Sequence, residues 1–340
     1  MKLRILLSLV SVFFTGIMNA QIVVALHSPT NGVQYFSDDN PLKTAYEAAV
    51  DNDTIYLPGG SFYPPTTIEK KLVIYGVGHY ESASGATRIT IINGNVKLAD
   101  GASGTHLEGL LVTGYLMFTD NQVINNVVVK RCNIKNMVYI RGTMATPSES
   151  VVFIENILPS FDLSNLKNAI FYNNIIQGRV TKSVNLTFLN NIFLYKGSYH
   201  IFDYASNSMI KNNIFIQDYY PERICSGSGA STWSNNFFIS GNPTLGTNST
   251  STNNYTVGRS DIFVNQAGNS FNYGHDYHLQ AGVATNLGDD GKEVGIYGGF
   301  HSWKTESIPV TPHISNATIN STSTKDGKLH IDITVQSQDR

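Results

Sequence analysis

Six segments of the chain repeat one short phrase at intervals of 17 to 24 residues: a large apolar residue, two spacers, an Asn or Cys, one more spacer and another apolar residue. The clearest copies are Phe171–Ile176, Phe188–Phe193, Ile210–Phe215 and Trp233–Phe238, with looser ones at Phe153–Leu158 and Val129–Ile134. Cys132, Asn156, Asn174, Asn191, Asn213 and Asn236 then share one slot. A unit this short cannot bury its apolar face alone, so it must stack on its neighbours, and self-similarity at this period reads as a solenoid.

A leucine-rich repeat has a similar period, but here the apolar positions favour Phe, Ile and Val, Asn recurs at the bend, and no helical spacing intervenes. Strands and tight turns fit better. In a parallel β-helix, equivalent residues of successive coils lie about 4.8 Å apart. A buried Asn can then hydrogen-bond the Asn and backbone of the next coil, which removes the cost of burying its amide. The shared slot therefore predicts an Asn ladder, with Cys132 as a small buried member.

Composition agrees with one elongated domain: 340 residues, 14% charged, 41% hydrophobic, net charge -2. A near-neutral chain this poor in Lys and Arg gives no reason to expect nucleic acid or an anionic membrane as partner. Cys132 and Cys225 form no metal-spacing motif, and two residues about four coils apart are too distant to bridge. At the N-terminus, Lys2 and Arg4 precede an apolar run from Ile5 to Phe14, and Met18-Asn19-Ala20 stands before Gln21. This is the pattern of a cleaved secretory signal over residues 1–20, and it predicts a secreted or periplasmic protein. No Cys follows the run to accept a lipid, and nothing later is long and apolar enough to span a bilayer.

Past the signal, Ala45 to Phe62 reads Ala-Tyr-Glu-Ala-Ala-Val-Asp-Asn-Asp-Thr-Ile-Tyr-Leu-Pro-Gly-Gly-Ser-Phe, and Leu72-Val73-Ile74-Tyr75-Gly76 follows. This resembles the opening of the pectin-lyase-like superfamily of right-handed parallel β-helices, in which a short helix caps the first coil. The resemblance implies a cap helix over Pro41 to Val50 and strands at Thr54 to Leu57 and Leu72 to Tyr75. Near the other end, Asp276-Tyr277-His278-Leu279, Asn286 to Gly291 and Gly295-Ile296-Tyr297-Gly298-Gly299 resemble the last-coil motif of bacterial β-helix proteins. The expected fold is all-β: a right-handed parallel β-helix, or solenoid, with an N-terminal cap helix and a short C-terminal β-hairpin tail. The domains are then 1–20 signal peptide, 21–300 β-helix including its cap, and 301–340 linker and tail. Thr247 to Asn254, rich in Thr, Asn, Ser and Gly, reads as an exposed loop. In the tail, His313 to Ile319 and Lys328 to Gln336 alternate apolar and polar residues around Asp326-Gly327, a hairpin signature.

The resemblance specifies fold and leaves activity open, because the superfamily includes lyases, hydrolases, epimerases, adhesins and proteins with no known reaction. In its enzymes, sugar chains lie along one parallel sheet. Counting back 11 or 12 residues from Asn174 gives Asp162 and Leu163, and from Asn191 gives Arg179 and Val180. Alternation turns Leu163 and Val180 inward and Asp162 and Arg179 outward. Neighbouring coils add Tyr139, Arg141, Lys182, His200, Asp203 and Arg223 as ligand-contacting candidates. Arginines there could pair with uronate carboxylates, and Tyr139, Tyr199 or Tyr204 could pack on sugar rings.

A lyase would use Asp162, Arg179 and Asp203 to neutralise a carboxylate and remove the adjacent proton. Against this, an outward Asp beside an Arg is more often a solvated cross-strand pair. The hydrolase blocks Asn-Thr-Asp, Gly-His-Gly and Arg-Ile-Lys are missing, and Asp289-Asp290 sits in the terminal motif, where a structural role is the simpler reading. No cofactor is expected; calcium is the one to weigh, since Asp51-Asn52-Asp53 offers oxygen ligands but too few for a site of six to eight. Two functions remain: an exported β-helix that binds extracellular polysaccharide, or serves as a surface interaction module, without catalysis; and, as the alternative, a polysaccharide lyase, less readily a hydrolase, acting on an acidic glycan.

Overall fold

The computed structural model describes residues 22–83, 85–143 and 145–336; the predicted signal lies outside the described residues. The repeats form a parallel β-solenoid of about nine turns whose strands line up in three sheets. In one coil, Ile170–Tyr172 belongs to sheet I, Ile175–Ile176 to sheet II and Val180–Thr181 to sheet III; Thr187–Leu189 then opens the next coil in sheet I. Coils stack in register, Phe171 on Phe188, Ile176 on Phe193 and Val180 on Phe202. Ring stacks follow the same spacing inside: Phe153, Phe171 and Phe188 at 4.8 and 4.6 Å, and Phe193, Phe215 and Phe238 at 4.7 and 5.0 Å.

Each Asn-Asn pair makes the bend from sheet I to sheet II, and its two residues do different things. The first takes the left-handed conformation, with φ of 53° at Asn173, 55° at Asn190, 57° at Asn212 and 55° at Asn235. Asn enters this region more readily than most residues that carry a Cβ. The second turns inward and builds a ladder: Oδ1 of Asn191 accepts from the N–H of Asn174 at 2.9 Å and from its Nδ2 at 3.0 Å, while Nδ2 of Asn191 donates to the Phe171 carbonyl at 2.9 Å. The same bonds join Asn156 to Asn174, Asn191 to Asn213 and Asn213 to Asn236, and the Cys132 N–H donates to Asn156 Oδ1 at 2.8 Å. Asn254 continues the column, accepting from Asn236. The segment expected to be a loop at 247–254 therefore contains a coil strand, Thr250–Thr252. Its Thr and Ser side chains hide the repeat, but backbone pairing does not require apolar residues.

Both cysteines are buried and free, and burial pushes the Cys132 thiol up to about 12 and that of Cys225 to about 11.

The first coil is covered twice. Val24–Ser28 pairs antiparallel with Thr54–Tyr56 and with Gly32–Phe36, and helix α1, Pro41–Ala48, buries Leu42 and Ala45 against the coil. Such a cover removes the open edge of a solenoid. The helix stops two residues short of Val50 because the Val50 N–H goes to the Asp53 carboxylate at 2.9 Å. Asp51 likewise accepts from the Lys71 N–H at 2.9 Å, so the Asp51-Asn52-Asp53 acids are engaged with turn backbone.

The sequence from 276 to 299 does not form a last coil. Asp276–Leu279 pairs antiparallel with Phe263–Asn265, and the chain from 287 to 310 runs back as a strap along the left-handed bends. Asn235 Nδ2 donates to the Leu287 carbonyl at 2.8 Å, Asn212 Nδ2 to Asp289 at 2.6 Å, and Asn173 Nδ2 to the carbonyls of Ile296 and Gly298 at 2.5 and 3.0 Å. Asp289 also pairs with Lys211. The glycines of Gly-Ile-Tyr-Gly-Gly allow this close approach: at Gly295, φ is 87° and a Cβ would lie 2.6 Å from Ile214, and at Gly299, φ is 75° and a Cβ would lie 2.5 Å from the Tyr172 hydroxyl. The strap and the segment before it bury Ile157, Ile175, Ile192, Ile214 and Phe237 of sheet II beneath Ile262, Tyr277, Val294, Ile296 and Trp303. Beyond it, His313–Ile319 and Ile331–Gln336 form an antiparallel hairpin.

His79, 1% exposed, lies where residues 266–277 meet the loop before sheet II, with its Nδ1 3.1 Å from the Tyr273 hydroxyl. Burial, reinforced by the Lys135 charge, lowers its pKa to about 3. The folded value lies below the unfolded one near 6.5, so the two states match above that pH, and the unfolded chain gains a proton that the folded one refuses as pH falls from about 6.5 toward 3. The expected loss is about 1.4 kcal/mol per pH unit over that window. Urea unfolding at several pH values should show a steeper acid loss in the native protein than in His79→Gln, the difference between the two slopes being the His79 contribution.

Candidate functional site

Sheet III keeps an open outward row, as does sheet I, where Tyr56, Ile170 and Met209 are exposed, but among the described residues only sheet III gathers arginines on tyrosine rings along it. Its in-register outward positions are Lys97, Met117, Tyr139, Asp162, Thr181, Asp203 and Ser226, each partly exposed. The strands here are only two to four residues long, so the residues at their ends shape the surface as much as the row itself.

The row does not place Asp162 beside Arg179. Asp162 is registered with Thr181, and its Oδ1 accepts from the Ser164 N–H at 3.2 Å. Arg179 lies before its strand, on the bend, where its N–H donates to Ser160 Oγ at 3.1 Å. Counting back from the ladder Asn fails because the return path differs in length: Phe161 precedes Asn174 by 13 residues, whereas its register partner Val180 precedes Asn191 by 11. Leu163 and Val180 do both point inward, fully buried.

Arg179 instead reaches one coil on. Its Nη2 pairs with Asp203 Oδ2 at 3.0 Å, its Nε donates to the His200 carbonyl at 3.1 Å, and its guanidinium lies 4.8 Å from the centre of the Tyr199 ring. Asp203 Oδ1 also accepts from Ser226 Oγ at 2.9 Å. Arg179 and Asp203 remain 26% and 32% exposed, so the pair is shared with solvent. His200 has its pKa lowered by burial and by the charges of Arg223 and Arg179, which leaves a neutral imidazole at neutral pH.

Two similar groups flank this one. Toward the N-terminus, Arg141 lies 4.4 Å from the Tyr139 ring centre and pairs with Asp120 at 3.2 Å, and Tyr139 stacks on Tyr115 at 5.4 Å. Toward the C-terminus, Arg223 lies 3.9 Å from the Tyr220 ring, donates to the Ser198 carbonyl at 2.5 Å and sits 3.7 Å from Glu222. Lys182 is exposed, in the left-handed conformation at φ 60°, with its N–H on the Asp203 carbonyl. Tyr204 and Tyr199 stand 60% and 64% exposed. Tyr115, Tyr220 and Ser226 were not legible as site residues, since they fall in bends of irregular length; the recurring signal was a Tyr within four residues of each Arg or, for Arg179, across the bend of the next coil.

Three arginines laid on tyrosine rings along one sheet can hold anions between planar, apolar surfaces. The strap has already occupied sheet II. Among the described residues, no three His, Cys, Asp or Glu side chains converge as metal ligands, and no helix is long and apolar enough to cross a membrane. His278, near the strap, pairs with Asp276 at 2.6 Å and stacks on Tyr297 at 3.7 Å, away from this face. Comparison with models of known protein families and with curated protein sequences finds no match to this chain.

Proposed function

We propose that the protein is an exported member of the pectin-lyase-like superfamily that binds an acidic extracellular polysaccharide along sheet III without cleaving it. The observation that carries this reading is the repeated Arg-on-Tyr arrangement at Arg141, Arg179 and Arg223 on an open face. From Tyr139 to Ser226 the row spans four coil steps, about 19 Å at the spacing of paired strands, enough for several sugar rings. Guanidinium groups recognise uronate carboxylates in a two-pronged way, and tyrosine faces pack on the C–H faces of sugars. Catalysis is disfavoured because Asp203 is held by Arg179 and Ser226, and Asp162 caps its own turn.

A lyase is the second reading, favoured by one observation: a neutral His200 beside the arginine that would neutralise a uronate. His200 would then take the proton next to the carboxylate that Arg179 binds. Affinity electrophoresis in gels containing polygalacturonate or alginate, run beside an absorbance assay for unsaturated product, separates the two. The expected result is retardation by at least one polymer without product, weakened about tenfold in Arg179→Ala. Product formation that is lost in His200→Ala would establish the lyase, and absence of both retardation and product would overturn both readings.

A further inference from the structure

Two apolar faces of this chain stand uncovered. The first belongs to the C-terminal hairpin. In its register Ile314 lies opposite Val335, Ala317 opposite Ile333 and Ile319 opposite Ile331, while Asn316 lies opposite Thr334 and Thr318 opposite Asp332. Directly opposite residues share a face, so the six apolar side chains gather on one side and the polar ones on the other. The register shift at Ser315 adds one residue to its strand, which brings Ile314 back to the apolar side. Ile319, Ile331, Ile333 and Val335 are 50 to 62% exposed, and a two-stranded hairpin with nothing against its apolar face is marginal in water.

The second is the outer face of sheet I. Val128–Lys130, Val152–Ile154, Ile170–Tyr172, Thr187–Leu189 and Met209–Lys211 pair in register, and the central residue of each is buried inside the solenoid. The outward positions are apolar as well, at Val128, Val152, Ile154, Ile170, Leu189 and Met209. Strands that are apolar throughout, without alternation, are the pattern of a parallel sheet covered on both faces. Sheet III, by contrast, turns Lys97, Asp162, Thr181, Asp203 and Ser226 outward. The strap reaches the bend-side edge of the sheet I face at Tyr172, whose hydroxyl accepts from the Phe300 N–H at 2.6 Å, but Ile170 and Met209 remain 39% and 46% exposed.

We propose that the hairpin of one copy lays its apolar face on the outer face of sheet I of a second copy, and that a twofold pair makes this contact in both directions. The two faces agree in size: the seven-residue strand of the hairpin is about 23 Å long, and the four strand steps from Val128 to Met209 span about 19 Å. Both present branched apolar side chains from a pleated surface, which is how two sheets pack face to face. They do not meet within one chain, since the apolar side chains of the hairpin are exposed there, and a second copy carries both halves of the contact. The exit of the hairpin is fastened, with the Val310 N–H on the Glu108 carboxylate and Pro309 over Gly109. Made in both directions, the contact buries about 900 Å² in all, at the small end for a specific complex, so the association is weak and concentration-dependent. A twofold arrangement closes as a dimer. This contact uses neither sheet III nor its ligand, and it stands if that face proves to bind nothing.

Sedimentation velocity of the intact protein over a concentration series tests this. The expected result is a monomer–dimer equilibrium, weakened about tenfold in Ile333→Glu and in Ile170→Glu, two exposed positions where a charge leaves the solenoid folded. Chains with Ile333→Cys, mixed with chains carrying Ile170→Cys, should be joined by a short bis-maleimide more than either variant alone, since both native cysteines are buried. A monomer at every concentration, a dimer that either glutamate substitution leaves unmoved, or a chain with both new cysteines that is joined within itself and stays monomeric, overturns the inference.

Discussion

Asn191→Ala lowers the unfolding free energy by about 3–5 kcal/mol, the sum of several buried groups losing their partners. The substitution removes the acceptor of the Asn174 N–H, an acceptor of Asn174 Nδ2 beside the Phe153 carbonyl, and the side-chain donor to the Phe171 carbonyl. Asn174 is fully buried, so no water replaces them. The same change at Asn254, at the partly exposed end of the column, costs about 1 kcal/mol, since water takes the vacated bonds there. Urea unfolding of the two variants side by side gives the comparison. Equal costs at both positions would mean that the ladder adds nothing beyond ordinary turns.

Arg131→Met produces a loss of similar size, about 3–5 kcal/mol, for a different reason. Arg131 stands in the left-handed bend slot that later coils give to Asn, at φ 49°, and Glu155 follows it at φ 54°. Its guanidinium pairs with Glu155 at 3.0 Å and Glu108 at 3.3 Å, all three side chains at most 3% exposed. Glu155 also accepts from the Lys304 N–H at 2.9 Å, and Glu108 from that of Val310 at 3.3 Å, so the network fastens the strap. Burial pushes the Glu108 carboxyl up, but hydrogen bonding from His106 and the charges of Lys130, His106 and Arg131 hold it below the usual range. Removing Arg131 leaves two buried carboxylates sharing one cation fewer. Limited proteolysis should then cut between 300 and 312 in Arg131→Met before the solenoid unfolds, and Glu155→Gln on top of it should recover part of the stability.

The fold was legible because its signal is one of repetition. Phe, Asn and Ile return at a fixed offset, and only stacking explains that. The ladder slot could be read because the same residue type fills it in five coils. The first Asn of each pair carried no separate signal, since its task, holding the strap, depends on a segment up to 125 residues away. The strap itself was read as a final coil because a glycine-rich phrase describes tight backbone approach without saying to what. Candidate residues were legible as a group and not as a geometry: Arg179 and Asp203 do meet, whereas Asp162 and Arg179 do not, because bends of unequal length shift the register between coils. A row of outward side chains is set by strand pairing, and distance along the chain reports it only where loops are equal.

The most direct measurement is hydrogen–deuterium exchange of the protein with and without polygalacturonate or alginate. The account predicts slower exchange in peptides covering 137–142, 177–182 and 198–204, which carry Tyr139, Arg141, Arg179, Lys182, His200 and Asp203, with no change in the strap at 287–310. Protection confined to the strap or to sheet I, or no protection with either polymer, would contradict it.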